Sequence, residues 1–493
     1  MIRLKRLVVE NIKNTRYGLI DFPESISGGS MLGIYGQNGS GKTSIIDSAE
    51  CMKALMTGNP LPSGAKDLLT KGQERLILSY GFDLSGPASV CGESATVTYR
   101  VELAMRESSV RVTEETLSFT RGESSKRNLI VHSVAGRDNS EDASVAFASS
   151  GPVDRWKSIK ASSKNAAAVF SAAEVASFNG GGSFIFSLEF SRAVAGFLTV
   201  AKRKIDDGTA PNTIKDATNE TLLPLRDIIG ALRGFAENDF VVINQKHEAA
   251  IPLGLMLLSS GQALDGTKGF AINLDKPPIV GRGQYESLCS ALSVSNTVLK
   301  QLIPGLEVEA YKLGDRVLDS GDVGVEFELL SNRDGVKVPL RCESTGIQKV
   351  VSILGALIAA YNNANASVFI DELDSGVFEY LLGELLEVME PRMKGQLVFT
   401  AHNLRPLEKL PLQSLVITTS NPSNRFIRFK GLHGSNNVRS QYFKSIVLGG
   451  QSEQVYQPTN KTMIAAAFSE AAHPGEKMDF FEMLQQLKAS DKA

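Results

Sequence analysis

Apolar positions alternate with polar ones over Ile2, Leu4, Leu7 and Val9 and again over Leu19-Ile20-Asp21-Phe22, which predicts two strands joined by a turn at Asn11-Ile12-Lys13-Asn14. The apolar run Met31-Leu32-Gly33-Ile34-Tyr35 predicts a third strand. The period then changes, because Ile45, Ile46, Ala49, Met52 and Met56 recur at three- and four-residue spacing, and that helix stops at Gly58-Asn59-Pro60. Leu76 to Leu84, Thr96 to Leu103 and Val110 to Phe119 predict an antiparallel lobe with glycine and serine turns.

From about 134 to 182 the chain turns to Ala, Ser, Asn and Gly, which predicts surface loop or insertion. From about 183 to 280, apolar patches such as Phe184-Ile185-Phe186 and Leu222 to Phe235 predict a mostly helical insertion. Tyr285, Leu288, Leu292, Leu299 and Leu302 then share one helical face, closed by Pro304-Gly305. Leu306 to Tyr311 alternates as a strand, and Val323 to Leu330 with Val336 to Leu340 predicts a hairpin across Asn332-Arg333-Asp334-Gly335. The domain boundaries that follow are 1–120, 121–284, 285–430 and a helical tail over 431–493. Neither sustained heptads nor an internal repeat is visible, which argues against a long coiled-coil arm.

Between the third strand and its helix lies Gly36-Gln37-Asn38-Gly39-Ser40-Gly41-Lys42-Thr43, followed by Ser44. Glycines at 36, 39 and 41 permit positive φ angles that turn backbone N–H groups onto an anion, and the new helix offers its unpaired amides to the same phosphates. Lys42 is placed to reach β and γ oxygens and Thr43 to ligate Mg²⁺, so this stretch predicts an ATP or GTP site.

Ser367-Val368-Phe369-Ile370-Asp371-Glu372 is an apolar strand ending in two acids. Side chains alternate along an extended chain, so Asp371 is assigned to the metal beside Thr43 and Glu372 to the attacking water. Gln396 to Thr400 predicts a further strand, and His402 at its C-terminal end is placed to sense a γ-phosphate.

Composition narrows the partners. Lys plus Arg number 52 against 54 Asp plus Glu, so no global charge draws the chain to nucleic acid or an anionic membrane. Cys51, Cys91, Cys289 and Cys342 are scattered without metal-ligand spacing, which predicts reduced thiols. The start, Met1 to Arg6, lacks the apolar core of a signal peptide, and the strongest apolar run, Val350 to Tyr361, is too short to span a bilayer. A soluble, cytoplasmic protein without membrane contact is expected.

Taken in order, Gly36 to Thr43, Glu343-Ser344-Thr345-Gly346, Phe369-Ile370-Asp371-Glu372-Leu373-Asp374 and Thr400-Ala401-His402-Asn403 resemble the phosphate loop, signature, acidic strand with D-loop, and switch histidine of ATP-binding-cassette ATPases. The large insertion between the first two motifs is similar to the RecF and structural-maintenance-of-chromosomes branch. The resemblance implies an α/β ATPase head with an antiparallel β lobe and a helical insertion, binding ATP and Mg²⁺ and hydrolysing ATP. It further implies that two heads face each other as a homodimer or larger homo-oligomer, with Ser344 and Gly346 of one capping the nucleotide of the other. The signature departs from the usual leucine-serine-glycine-glycine form, with Thr345 inside it. By the same resemblance Lys13 and Asn14 touch base or phosphate, and Gln73 is the glutamine that reaches Mg²⁺.

The Asp-Glu-Leu-Asp-Ser-Gly run at 371 to 376 and the tail Tyr442 to Gly450 look like bacterial antiviral ATPases, the PARIS and Septu subunits among them. That implies a separately encoded effector, a nuclease or toxin. The alternative partner is DNA, as in recombination or repair.

Overall fold

Six strands gather from distant parts of the chain into one sheet, in the order Phe426–Arg428, Leu415–Thr418, Ser30–Tyr35, Gln396–Thr400, Ser367–Ile370 and Phe240–Ile243. All neighbours run parallel except the edge hairpin of Leu415–Thr418 with Phe426–Arg428. The computed structural model describes residues 1–23, 28–106, 109–122, 128–134, 148–244, 255–258, 270–318, 320–429 and 438–472. Parts of the expected loop before residue 148, of the insertion near 245–269 and of the tail beyond 472 lie outside the described residues.

A parallel sheet covered on both faces needs apolar side chains on both, and the strands supply them alternately. Leu32, Ile34, Phe369, Val398 and Val416 face one core, shared with the helix Lys42–Met56 through Ile45, Ile46, Ala49 and Met52. Met31, Tyr35, Val368, Ile370, Leu397 and Phe399 face the other, packed by the helices Thr345–Asn362 and Glu379–Met389. Gly33 sits opposite Phe399 in the register, and a Cβ there would lie 2.8 Å from its ring.

The first core is closed by a seven-stranded antiparallel sheet. Its strands Ile2–Ile12, Thr15–Asp21, Arg75–Leu84, Ala95–Arg106 and Ser109–Arg121 are continued by Asn128–Val134 and Ala148–Gly151. Leu76, Leu78, Tyr80, Phe82 and Leu84 all point inward, as period two requires.

The stretch that composition marks as surface loop or insertion is in part an insertion, with two helices, Val153–Ser162 and Lys164–Gly180, in place of loop. Alanine favours helix more than any other residue, and Trp156, Ile159, Phe170 and Ala173 supply a buried face. Leu188–Asp206, Asn212–Ala217 and Leu223–Asn238 continue the helical part as expected. It is clasped to the antiparallel sheet by Glu115, only 1% exposed, which accepts from the Ser183 hydroxyl at 2.6 Å, from the N–H groups of Phe184 and Ile185 at 2.7 and 3.2 Å, and from the Tyr99 hydroxyl. The chain then returns to the core, because Phe240–Ile243 pairs in parallel with Ser367–Ile370.

A third core joins the helix Arg282–Leu302 to the strands Leu306–Val317 and Val323–Arg333 and to the outer side of Thr345–Asn362. The hairpin forms where expected, with Asp334 and Gly335 both at positive φ, 53° and 86°. Among the described residues no helix is long and apolar enough to cross a membrane.

Candidate functional site

The C-terminal ends of the parallel strands converge, so the segments leaving Tyr35, Ile370 and Thr400 meet at one edge of the sheet. There they enclose an open cavity of about 850 Å³ lined by Lys13, Asn14, the loop from Asn38 to Ser44, Glu372, Thr400 and His402.

The loop's shape follows from its glycines. Gly36, Gly39 and Gly41 take φ of 154°, 74° and 91°. A Cβ at Gly36 would lie 1.6 Å from the Thr418 hydroxyl, which sits 2.5 Å from that of Ser40 and ties the loop to the neighbouring strand. Gly41 caps the helix Lys42–Met56 in the left-handed conformation with no side-chain cap and no acid in the first turn. The amides and the positive dipole end therefore face the cavity unopposed, as an anion site needs.

Lys42, 6% exposed, is folded back on the loop, donating to the carbonyls of Gly36 at 2.9 Å and Gln37 at 3.2 Å. Burial pushes its pKa down, while Asp371, Glu372 and Asp374 pull it the other way. A triphosphate would replace those carbonyls with stronger acceptors.

Beneath the cavity Asp371 is fully buried. Its Oδ1 accepts from the Thr400 hydroxyl at 2.5 Å, whereas among the described residues Oδ2 has no hydrogen-bond partner, and neither has the buried Ser44 hydroxyl. A carboxylate oxygen without a hydrogen-bond partner among the described residues, at 0% exposure and with the Thr43 hydroxyl in the cavity wall, is the kind of hard oxygen ligand that fits Mg²⁺.

Glu372 follows at φ 45°, a left-handed conformation costly for a residue with a side chain. Its N–H donates to the Thr400 hydroxyl at 2.7 Å, and its carbonyl accepts from Ser375 N at 2.9 Å and from the buried Lys349 ammonium. Thus pinned, the carboxylate stands 3.8 Å from His402 Nε2. Asp374 in turn accepts from the backbone N–H of His402 and Asn403 at 2.8 and 2.5 Å, fixing the switch segment.

Lys13 and Asn14 do line the cavity, Lys13 paired with Asp47 and Asn14 donating to the Gly39 carbonyl. Gln37 lies beside it, its side chain accepting from Gln457 N at 3.0 Å. Gln73 is exposed in a turn, its N–H donating to Thr70 O at 3.0 Å, and does not line the cavity. Ser344 and Gly346 are also absent from its lining. Ser344 is exposed and caps the helix Thr345–Asn362, its hydroxyl 3.4 Å from Ile347 N. Gly346 packs on the D-loop, where a Cβ would lie 2.0 Å from Gly376 O.

Two contributors went unassigned from sequence. Thr400 bridges both acids, and its place at a strand end two residues before His402 was the available signal. Arg425, 5% exposed, donates to the carbonyls of Asn14 and Thr419 and buttresses the turn beside Gly41, with no local pattern to mark it.

Residues 6–172 match a family described as an AAA domain. No curated protein matches the chain. Solved structures similar to it include an Smc head bound to the C-winged helix domain of ScpA, at 10% identity and TM-score 0.43 over 87% of this chain and 97% of that one. Others are an Smc head with an extended coiled coil bound to the C-terminal domain of ScpA, derived from Pyrococcus furiosus, at 11% identity and TM-score 0.40 over 87% and 96%, and the SMC head from Thermotoga maritima, at 15% identity and TM-score 0.33 over 87% and 100%.

Proposed function

We propose that this protein is an ATPase of the ATP-binding-cassette kind whose site is completed by a second copy of the chain. The observation that carries the reading is the unpaired, buried Asp371 Oδ2 beneath a cavity that joins an open helix N-terminus to Glu372 and His402. The loop amides bind the β and γ phosphates, and Lys42 exchanges the carbonyls of Gly36 and Gln37 for their oxygens. Thr43 and Asp371 would hold Mg²⁺, which would supply neutralisation of the phosphate charge. Glu372 takes the proton of the attacking water as the bond from the γ-phosphorus to the β–γ bridging oxygen breaks, and His402 steadies the γ oxygens.

Ser344, exposed at a helix N-terminus away from the cavity of its own chain, supports a site shared between copies. The resemblance of the motifs to antiviral ATPases extends the proposal to a separate nuclease or toxin as the partner that assembly holds or releases. DNA as the partner would instead show as hydrolysis stimulated by duplex and suppressed by salt.

Mixing two inactive variants tests the shared site. Lys42→Ala and Ser344→Arg chains, each inactive alone, should together regain about a quarter of the wild-type rate, because half the random pairs hold one intact site of two. No recovery in pairs that demonstrably form would overturn the shared site, and an inactive wild type would overturn the ATPase itself.

A further inference from the structure

A second cavity, about 350 Å³ and sharing no lining residue with the first, lies between the helices Leu188–Asp206 and Leu223–Asn238. Its floor is apolar, formed by Val194, Leu198 and Ile229. Its rim is cationic, with Lys202, Arg226 and Arg233, and no carboxylate lines it.

The charges are only partly met. Arg226 pairs with Asp227 at 2.6 Å, but that carboxylate also accepts from Cys91 N at 3.0 Å. Among the described residues Arg233 donates only to neutral oxygens, Phe186 O at 2.6 Å and the Ser191 hydroxyl at 3.2 Å, and its buried Nε has no partner there. Lys202 is exposed and makes no ion pair among the described residues. The lane between the helices is also open, since a Cβ at Gly230 would meet nothing within 4 Å. A glycine weakens a helix there, and its absent side chain leaves room for a third backbone to approach.

We infer that this groove docks an acidic amphipathic helix of a partner protein, its apolar face on Val194, Leu198 and Ile229 and its carboxylates against Lys202 and Arg233.

What docks there bears on the nucleotide site. The wall helix ends at Asn238, and the chain enters the strand Phe240–Ile243 after Asp239. Phe240 O accepts from Lys53 of the phosphate-loop helix at 2.6 Å, and Ile243 O accepts from Asp371 N at 2.9 Å. That the docked partner is the effector rests on the proposed ATPase reading; the groove itself does not.

The test is therefore a binding measurement without nucleotide. Displayed helical peptides of about 16 residues, some four turns, are selected on the full chain. Enriched sequences should place Leu, Ile or Met at three- and four-residue spacing with Asp or Glu alongside. A synthetic peptide so identified should lose about tenfold or more in affinity for Lys202→Glu and for Gly230→Leu, which fills the lane, while both variants keep the wild-type melting midpoint. Failure to enrich, enrichment of basic peptides, or equal binding to the variants would overturn the proposal. So would self-association in sedimentation that Gly230→Leu abolishes, because the occupant would then be a second copy.

Discussion

Replacing Thr400 by valine keeps the β-branched shape of the strand end and removes one hydroxyl. That hydroxyl donates to Asp371 Oδ1 at 2.5 Å and accepts from Glu372 N at 2.7 Å, and Asp371 Oδ2 is already unpaired. The variant therefore leaves a fully buried carboxylate with no donor among the described residues, together with an amide held at positive φ without its acceptor. At about 1–3 kcal/mol per unsatisfied buried group, the nucleotide-free protein should lose about 3 kcal/mol. With m for a chain this long at or above the roughly 3 kcal/mol per molar that bounds small proteins, the urea midpoint falls by about 1 M at most. Steady-state hydrolysis should fall about a hundredfold as both acids lose their shared anchor. Thr400→Ser, which retains the hydroxyl, should stay within about threefold of wild type in rate. A valine variant that unfolds at the wild-type midpoint and turns over at the wild-type rate refutes the bridge. A serine variant that fails equally shows that the hydroxyl alone does not hold the two acids and that the packing of the methyl group is needed as well.

Glu372→Gln should slow hydrolysis by about 10²–10⁴-fold and lengthen the life of the ATP-bound assembly by size-exclusion, and unchanged turnover would remove Glu372 as the base. Burial pushes the Glu115 carboxyl pKa up, against the pull of its hydrogen bonds from Ser183, Tyr99, Phe184 and Ile185. Its stabilising contribution is full below the unfolded value of about 4.3 and is lost as pH rises through the raised folded value. Glu115→Gln should accordingly flatten the melting midpoint against pH above about 4.3, and profiles parallel to wild type would contradict the assignment. Glu115→Ala, which strands four buried donors, should cost about 3 kcal/mol or more, read as a lower midpoint at every pH.

What could be read from the chain is what is local. The phosphate loop is legible because three glycines and the Lys-Thr pair act within one turn, and Asp371 and Glu372 because they end an apolar strand. Thr400 was legible only as a strand former, since its role depends on the register that pairs Phe399 with Ile370 and so sets Thr400 against the acids that follow. Arg425 works through Asn14, which the sheet brings to it from the opposite end of the chain. The helix Lys164–Gly180 was hidden by serine, asparagine and glycine around its alanines, and Phe240–Ile243 by its four-residue length. In each case the deciding contact is tertiary.

The six-stranded sheet takes its neighbours from 30–35, 240–243, 367–370, 396–400, 415–418 and 426–428. During translation at about 5–20 residues per second, the strand Ser30–Tyr35 emerges roughly 20–70 s before Gln396–Thr400 can pair with it. For that interval its edges are unsatisfied and its faces bare, a form that invites wrong pairing. The antiparallel strands up to Arg121, joined by turns close in sequence, can close behind the ribosome much sooner and shelter one face. A nascent chain can thus own a complete glycine loop with nothing beneath it, and on the proposed ATPase reading turnover begins only after synthesis has passed the last strands of the sheet.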